Sequence, residues 1–318
     1  MKQISHAIEL GATMYVPATH PQLWEVTQGI RYPELRSIVV CLEDAVLEKD
    51  IQLAMLNLKQ LLLKIEEQPK FNQTIAIFIR PRHPEMAKHI LDWQLNHTFN
   101  GFVLPKFTLA NLEVWKNICS KDMSLMPTLE TAEYFDSHYL AEIKSALKYD
   151  FPSVLCLRIG GNDLMSCLNL RRPKNHTIYQ TPIGQLIPQM VGQLIPAGFS
   201  LSAPTFEHFE NLDLLKQEIA LDHQYGLFTK TAIHPTQLGV IHQALKVDFQ
   251  DFQDAKMIAD IDAKSVFKSH GSMLEPATHR NWAKLILKRA ELFGIHTAPH
   301  FPEDDDITLL NPKSGTLG

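Results

Sequence analysis

Residues 37–44 read Ser37-Ile38-Val39-Val40-Cys41-Leu42-Glu43-Asp44, an apolar, largely β-branched run that ends abruptly in two carboxylates. A strand without polar alternation is the pattern of a parallel strand covered on both faces. Seven more short apolar runs accompany it: Ala12–Val16, Thr74–Ile79, Gly101–Leu104, Met123–Met126, Ser153–Ile159, Phe199–Ser202 and Gly226–Ile233. Between most of them the apolar residues recur at three- and four-residue spacing, over Ile51–Ile65, Pro84–Trp93, Leu109–Ile118, Ala132–Leu147, Ile183–Ile195 and Asn211–Tyr225. That spacing predicts amphipathic helices. Eight strands with intervening helices is the arithmetic of a TIM (β/α)₈ barrel. A doubly wound open sheet shares the alternation and stays the competing architecture.

Three further helical stretches, around Val240–Leu245, Phe252–Ile261 and Thr278–Phe293, lie beyond the barrel count. The predicted organisation is a barrel over 1–247, a C-terminal helical extension over 248–295 that packs on a neighbouring subunit, and an acidic, Pro-containing tail over 296–318. The tail, with His300-Phe301-Pro302-Glu303-Asp304-Asp305-Asp306, reads as a surface strap or flexible end.

The 318 residues are 45% hydrophobic and 20% charged, enough to bury a full core. A net charge of −5 with scattered Lys and Arg argues against a nucleic-acid partner, which needs a concentrated basic face. No run reaches the length of a membrane span. Met1-Lys2 is followed by mixed polar sequence, so no signal peptide is expected and the compartment is read as cytoplasmic. Cys41, Cys119, Cys156 and Cys167 show no metal-ligand spacing and read as reduced thiols.

In a barrel, chemistry gathers at the C-terminal ends of the strands. There this sequence places Glu43-Asp44 after the second run, Arg80 after the third and Lys106 after the fourth. Thr128 and Glu130 follow the fifth, Gly160-Gly161-Asn162-Asp163 the sixth, and Lys230 and His234 belong to the eighth. A barrel would converge these groups on one mouth.

The segments Val40-Cys41-Leu42-Glu43-Asp44-Ala45-Val46, Gly101-Phe102-Val103-Leu104-Pro105-Lys106, Leu129-Glu130-Thr131-Ala132, Gly160-Gly161-Asn162-Asp163-Leu164 and Lys230-Thr231-Ala232-Ile233-His234-Pro235 resemble, in order, the citrate lyase β-subunit-like branch of the HpcH/HpaI aldolase superfamily. The match covers roughly residues 10 to 290. Pro127-Thr128-Leu129-Glu130-Thr131 and Glu275-Pro276-Ala277-Thr278-His279-Arg280 are similar to a divergent group linked with tellurium-resistance operons. The resemblance implies a Mg²⁺-dependent carbon–carbon lyase, with Mn²⁺ as the alternative ion, acting on a small carboxylate or acyl-CoA as a homo-oligomer (trimer or hexamer). It also implies Glu130 and Asp163 as metal carboxylates, Arg80 as the grip on substrate oxygens, and Glu275 as an acid reaching a neighbouring subunit's site. Cys41 stands where the family usually has aspartate, and Arg82 where asparagine is common.

Cleaving a bond beside a carbonyl requires an electron sink, either a metal-bound enolate or a lysine Schiff base. Mg²⁺ suits Glu130 and Asp163, since it accepts one or two carboxylates and keeps sites for water and substrate. Both residues could instead cap helices. Arg80 could hold a substrate carboxylate or pair with Glu43 or Asp44. Glu43 and Asp44 are candidates to orient Arg80 or bind metal-ligated water. Lys106 and Lys230 are the Schiff-base candidates, His234 is a candidate donor to substrate, and Gly161 a place of close backbone approach. Two other functions share these features: a non-catalytic ligand-binding barrel, and a phosphoenolpyruvate-type phosphotransferase.

Overall fold

The structure, a computed structural model, describes residues 2–68, 74–151 and 154–296. The acidic stretch His300–Asp306 and residue Ser153 of the sixth apolar run lie outside the described residues. Eight parallel strands make one sheet: β1 (Ala12–Pro17), β2 (Ser37–Cys41), β3 (Ala76–Arg80), β4 (Gly101–Leu104), β5 (Ser124–Leu129), β6 (Leu157–Ile159), β7 (Leu201–Ser202) and β8 (Lys230–Ala232). Strands β1 to β7 pair in sequence order and β8 pairs with β1. A parallel bridge between Ala203 and Lys230, with the Ala203 amide donating to the Thr229 carbonyl at 2.8 Å, joins the last two strands and rounds the sheet into a barrel.

Around it run α1 (Leu23–Thr27), α2 (Ile51–Glu67), α3 (Pro84–Leu91), α4 (Leu109–Ile118), α5 (Ser137–Tyr149), α6 (Gly161–Cys167), α7 (Ile183–Leu194), α8 (Leu212–Gln224) and α9 (Thr236–Leu245). Their starts are set by side chains that take orphan amides. His83 accepts from Met86 N before α3, Asn211 from Leu214 N before α8, and Thr108 and Asn111 form a capping box at α4. The expected single helix over 132–147 is a 3₁₀ turn (Ala132–Phe135) followed by α5, because Asp136 is extended and caps the new helix through His138 N.

Period-two alternation decides what fills the barrel. Val39, Ala76, Phe78, Val103 and Met126, from four strands, join Cys156, just before β6, in one buried cluster with Ala7 and Leu10 of the N-terminal turn. One inward position further along the chain stand Cys41, Arg80, Thr128 and Arg158. The apolar layer is thus the floor on which a polar layer rests.

The same alternation turns Lys230 the other way. Its ammonium lies against α8, 3.0 Å from Glu218 and 2.8 Å from Asp222, and Arg172 pairs with Glu218 as well. All four side chains are buried. Lys230 therefore ties strand to helix and is not a Schiff-base lysine. Burial raises the Asp222 carboxyl to about 6 against the pull of Lys230.

The chain divides into two compact units, Met1–Leu245 and Lys246–Gly318. In the second, α10 (Phe249–Ala259) and α11 (Pro276–Phe293) enclose a small core of Val247, Ala255, Ile258, Leu274, Ala283 and Ile286. An antiparallel hairpin, β9 (Phe267–Ser269) and β10 (Ser272–Leu274), precedes α11. Among the described residues no helix is long and apolar enough to cross a membrane.

Lys230→Met leaves the buried Asp222 without a cation and Glu218 with Arg172 alone, so it is expected to cost about 3–5 kcal/mol of stability, as removal of one partner from a buried ion pair does. Urea unfolding followed by circular dichroism checks this; an unchanged midpoint would contradict it.

Candidate active site

A cavity of about 460 Å³ opens at the C-terminal ends of the strands. Tyr15 and Pro17 line it from β1, Cys41 and Asp44 from β2 and its loop, Arg80 from β3, and Thr128 and Glu130 from β5 and its end. Arg158, Gly160, Gly161, Asn162 and Asp163 line it from β6 and α6, Thr205 from beyond β7, and Thr231 and Ile233 from β8 and its end.

Arg80 is the hub. Its Nη2 lies 2.8 Å from Glu43 Oε2, 3.1 Å from Glu130 Oε1 and 3.5 Å from Asp44 Oδ2. Its Nε is buried and has no hydrogen-bond partner. Burial works against the Arg80 charge, but Glu130, Tyr15 and Glu43 outweigh it and hold the guanidinium above its ordinary value. Lys106, in a left-handed conformation (φ 46°), gives its backbone amide to Glu130 Oε1 at 2.7 Å and its ammonium to Glu43 Oε1 at 3.3 Å. Both of these groups, the amide and the ammonium, face carboxylates.

The anions outnumber these cations. Burial raises the Glu43 carboxyl to about 7, helped by Asp44 and opposed by Arg80. Burial likewise raises Glu130, with Arg80 opposing and Asp163 adding to the rise. Asp163, half-buried at the start of α6, is raised by burial and by Asp44, with Arg80 and Lys106 opposing. Among the described residues no cation lies within ion-pair distance of Asp163.

Glycine is required beside these groups. A Cβ on Gly160 would stand 2.3 Å from Glu130 Cβ and 2.6 Å from its Oε2. On Gly161 it would meet Ile178 at 2.7 Å and Pro204 at 2.8 Å, so Gly161 serves tight loop packing at the cavity wall.

His234 is not among the residues that line the cavity. His234 stacks on Phe209 with ring centroids 4.4 Å apart, and its Nδ1 faces Thr236 Oγ1 at 2.9 Å, which ties it to the start of α9. Glu275 belongs to the second unit, where its backbone amide donates to His279 Nδ1 at 3.1 Å and its carbonyl accepts the first amides of α11. Arg82 binds the Leu42 carbonyl at 3.0 Å and pairs with Glu48, fixing the loop after β2. Sequence reasoning missed Tyr15, Arg158 and Thr231, which line the same cavity. Their signal was parity: each stands two residues before another cavity-lining position, Pro17, Gly160 and Ile233 respectively.

Fold and cavity define the class: a TIM-barrel enzyme with its ionisable groups gathered at the strands' C-terminal ends. Residues 4–295 match the family described as C-C_Bond_Lyase of the TIM-Barrel fold, and the chain belongs to this family of carbon–carbon bond lyases. Among solved structures it is similar to CitE of Mycobacterium tuberculosis in complex with magnesium, acetoacetate and coenzyme A, at 18% identity and a TM-score of 0.65, over 90% of this chain and 99% of that one. A citrate lyase of Burkholderia xenovorans LB400 matches at 14% identity and a TM-score of 0.68, over 93% and 96% of the two chains. Malate synthase of Haloferax volcanii matches at 13% identity and a TM-score of 0.60, over 74% and 72%. No curated protein matches the sequence.

Glu43 titrates near 7 against an ordinary 4.5, so the native state keeps a proton that the unfolded chain releases between those values. Stability from this source is present at low pH and falls as pH rises through that window. Removing Arg80 deletes the main group that opposes the rise. Arg80→Met is expected to lose about 3–5 kcal/mol at about pH 8 and to recover part of it at about pH 5.5. Urea unfolding at both values checks it; a deficit independent of pH would contradict it.

Proposed function

We propose that the chain makes or breaks a carbon–carbon bond in a small carboxylate or acyl-CoA by way of an enolate, with Glu130 and Asp163 holding Mg²⁺. The observation that carries the reading is the excess of carboxylate at the cavity. Glu43, Asp44 and Glu130 share the Arg80 guanidinium, with only the Lys106 ammonium on Glu43 besides, and Asp163 has no cation within ion-pair distance among the described residues. Carboxyls raised by burial and, further, by one another's charge mark a site short of positive charge. Among the described residues no three His, Cys, Asp or Glu side chains are arranged to hold a metal ion together. Two carboxylates with room for water and substrate fit Mg²⁺, which dehydrates reluctantly, far better than zinc; Mn²⁺ fits the same donors.

Bound there, Mg²⁺ supplies the positive charge that makes an enolate accessible near neutral pH. Arg80 and the Lys106 amide orient Glu130, and Glu43 holds Arg80 from the other side. Facing the cavity, the Arg80 guanidinium adds its field to the oxygen where charge develops. The magnesium, acetoacetate and coenzyme A bound by the tuberculosis relative support this reading. It extends to a cytoplasmic homo-oligomer in which the helical extension, 248–295, brings Glu275 to a neighbour's cavity as the base.

The test is exchange of α-protons in D₂O, followed by NMR, for pyruvate, acetyl-CoA and propionyl-CoA with Mg²⁺ or with EDTA. Exchange is expected with Mg²⁺ alone and is expected to vanish in Asp163→Asn. Exchange that persists in EDTA or in that variant would overturn the metal assignment; ligand binding with no exchange would favour a non-catalytic barrel.

A further inference from the structure

Arg158 is 3% exposed and lines the cavity. Its place on β6, opposite Thr128 of β5 and two residues before Gly160, puts it on the inward face, one layer below Glu130. The side chain crosses the barrel interior: Nη2 donates to Thr231 Oγ1 of β8, and Nη1 lies 3.4 Å from Met126 Sδ of β5. The guanidinium also stands 5.4 Å from the centre of the Tyr15 ring of β1.

Every one of those partners is neutral. Among the described residues no carboxylate pairs with Arg158, whereas Arg80 is paired three times over. A buried guanidinium without an anion carries a desolvation penalty that a hydroxyl, a thioether and a ring face only partly offset. Such a charge, fixed at the base of a cavity, is built to receive an anion. Its planar fork suits a carboxylate, which accepts two parallel hydrogen bonds.

We infer that Arg158, steadied by Thr231 and Tyr15, binds a free carboxylate of the substrate at the floor of the cavity, one layer below the proposed metal carboxylates. The inference rests on the enolate-forming reading of the same cavity and narrows its substrate class. The group that enters deepest is an anionic carboxylate, so the half that reaches the floor is a small acid bearing a free carboxylate beyond its reacting carbonyl. A thioester's neutral acyl methyl has no counterpart for this charge.

The test is malonate binding by calorimetry in the presence of Mg²⁺, with Mg²⁺ binding measured separately on the same samples. Arg158→Met is expected to weaken malonate about tenfold to a hundredfold, as loss of a charge-assisted pair does, while leaving Mg²⁺ affinity unchanged. It is also expected to raise the thermal midpoint, because an unpaired buried charge is replaced by an apolar chain. Arg158→Lys keeps the charge without the fork, and Thr231→Val removes the steadying hydroxyl; each is expected to weaken malonate several-fold. Malonate bound by Arg158→Met as by the parent overturns the inference, as does a lowered midpoint with binding unchanged. A parent protein that binds malonate through Arg158 and takes up no Mg²⁺ would sink the metal reading and leave this one standing.

Discussion

The architecture of the mouth depends on one contact set, the Arg80 guanidinium among Glu43, Asp44 and Glu130. A charge pair about 4 Å apart near a protein surface is worth roughly 4 kcal/mol before desolvation. One cation therefore cannot neutralise three carboxylates, but it can hold them at fixed positions. It does so across the barrel, because Arg80 ends β3 while its partners lie just past β2 and β5. Lys106, after β4, closes the gap by touching both Glu43 and Glu130. Four consecutive strands are stitched together at the end where the chemistry belongs.

Below this stitched rim the barrel changes character in steps. The layer of Val39, Phe78, Val103 and Met126 is buried and apolar. The layer above it carries Arg158, whose company of Tyr15 and Thr231 is neutral, and Arg80, whose guanidinium pairs with the rim carboxylates. The rim carries surplus negative charge. A substrate entering such a gradient meets anionic groups able to hold a metal ion first and a bare guanidinium last, which orients a small acid end to end.

Much of this was legible in the sequence. Unbroken apolar runs such as Ile38–Leu42 marked strands buried on both faces. The polar residues at the C-terminal ends of such runs, Glu43, Asp44, Arg80, Glu130 and Asp163, do meet around one cavity. Reading only the ends of runs is blind to charges inside them. Arg158 and Lys230 both sit within strands; parity turns Arg158 into the cavity with Gly160 and sends Lys230 out to Glu218 and Asp222. His234 lies past its strand as expected, yet Thr236 and Phe209 hold it at the helix start. Helix α6 escaped notice because it is short and opens on glycine, and the hairpin β9–β10 because its residues are half polar. Whether Glu275 serves as a base depends on a subunit contact, which periodicity cannot encode.

Mn²⁺ uptake followed by electron paramagnetic resonance tests the central claim most directly, since it reads the metal at Glu130 and Asp163 without reference to any substrate. The account predicts one tightly held Mn²⁺ per chain, displaced by excess Mg²⁺ and lost in both Glu130→Gln and Asp163→Asn with circular dichroism unchanged. Mn²⁺ bound equally well by both variants would contradict it.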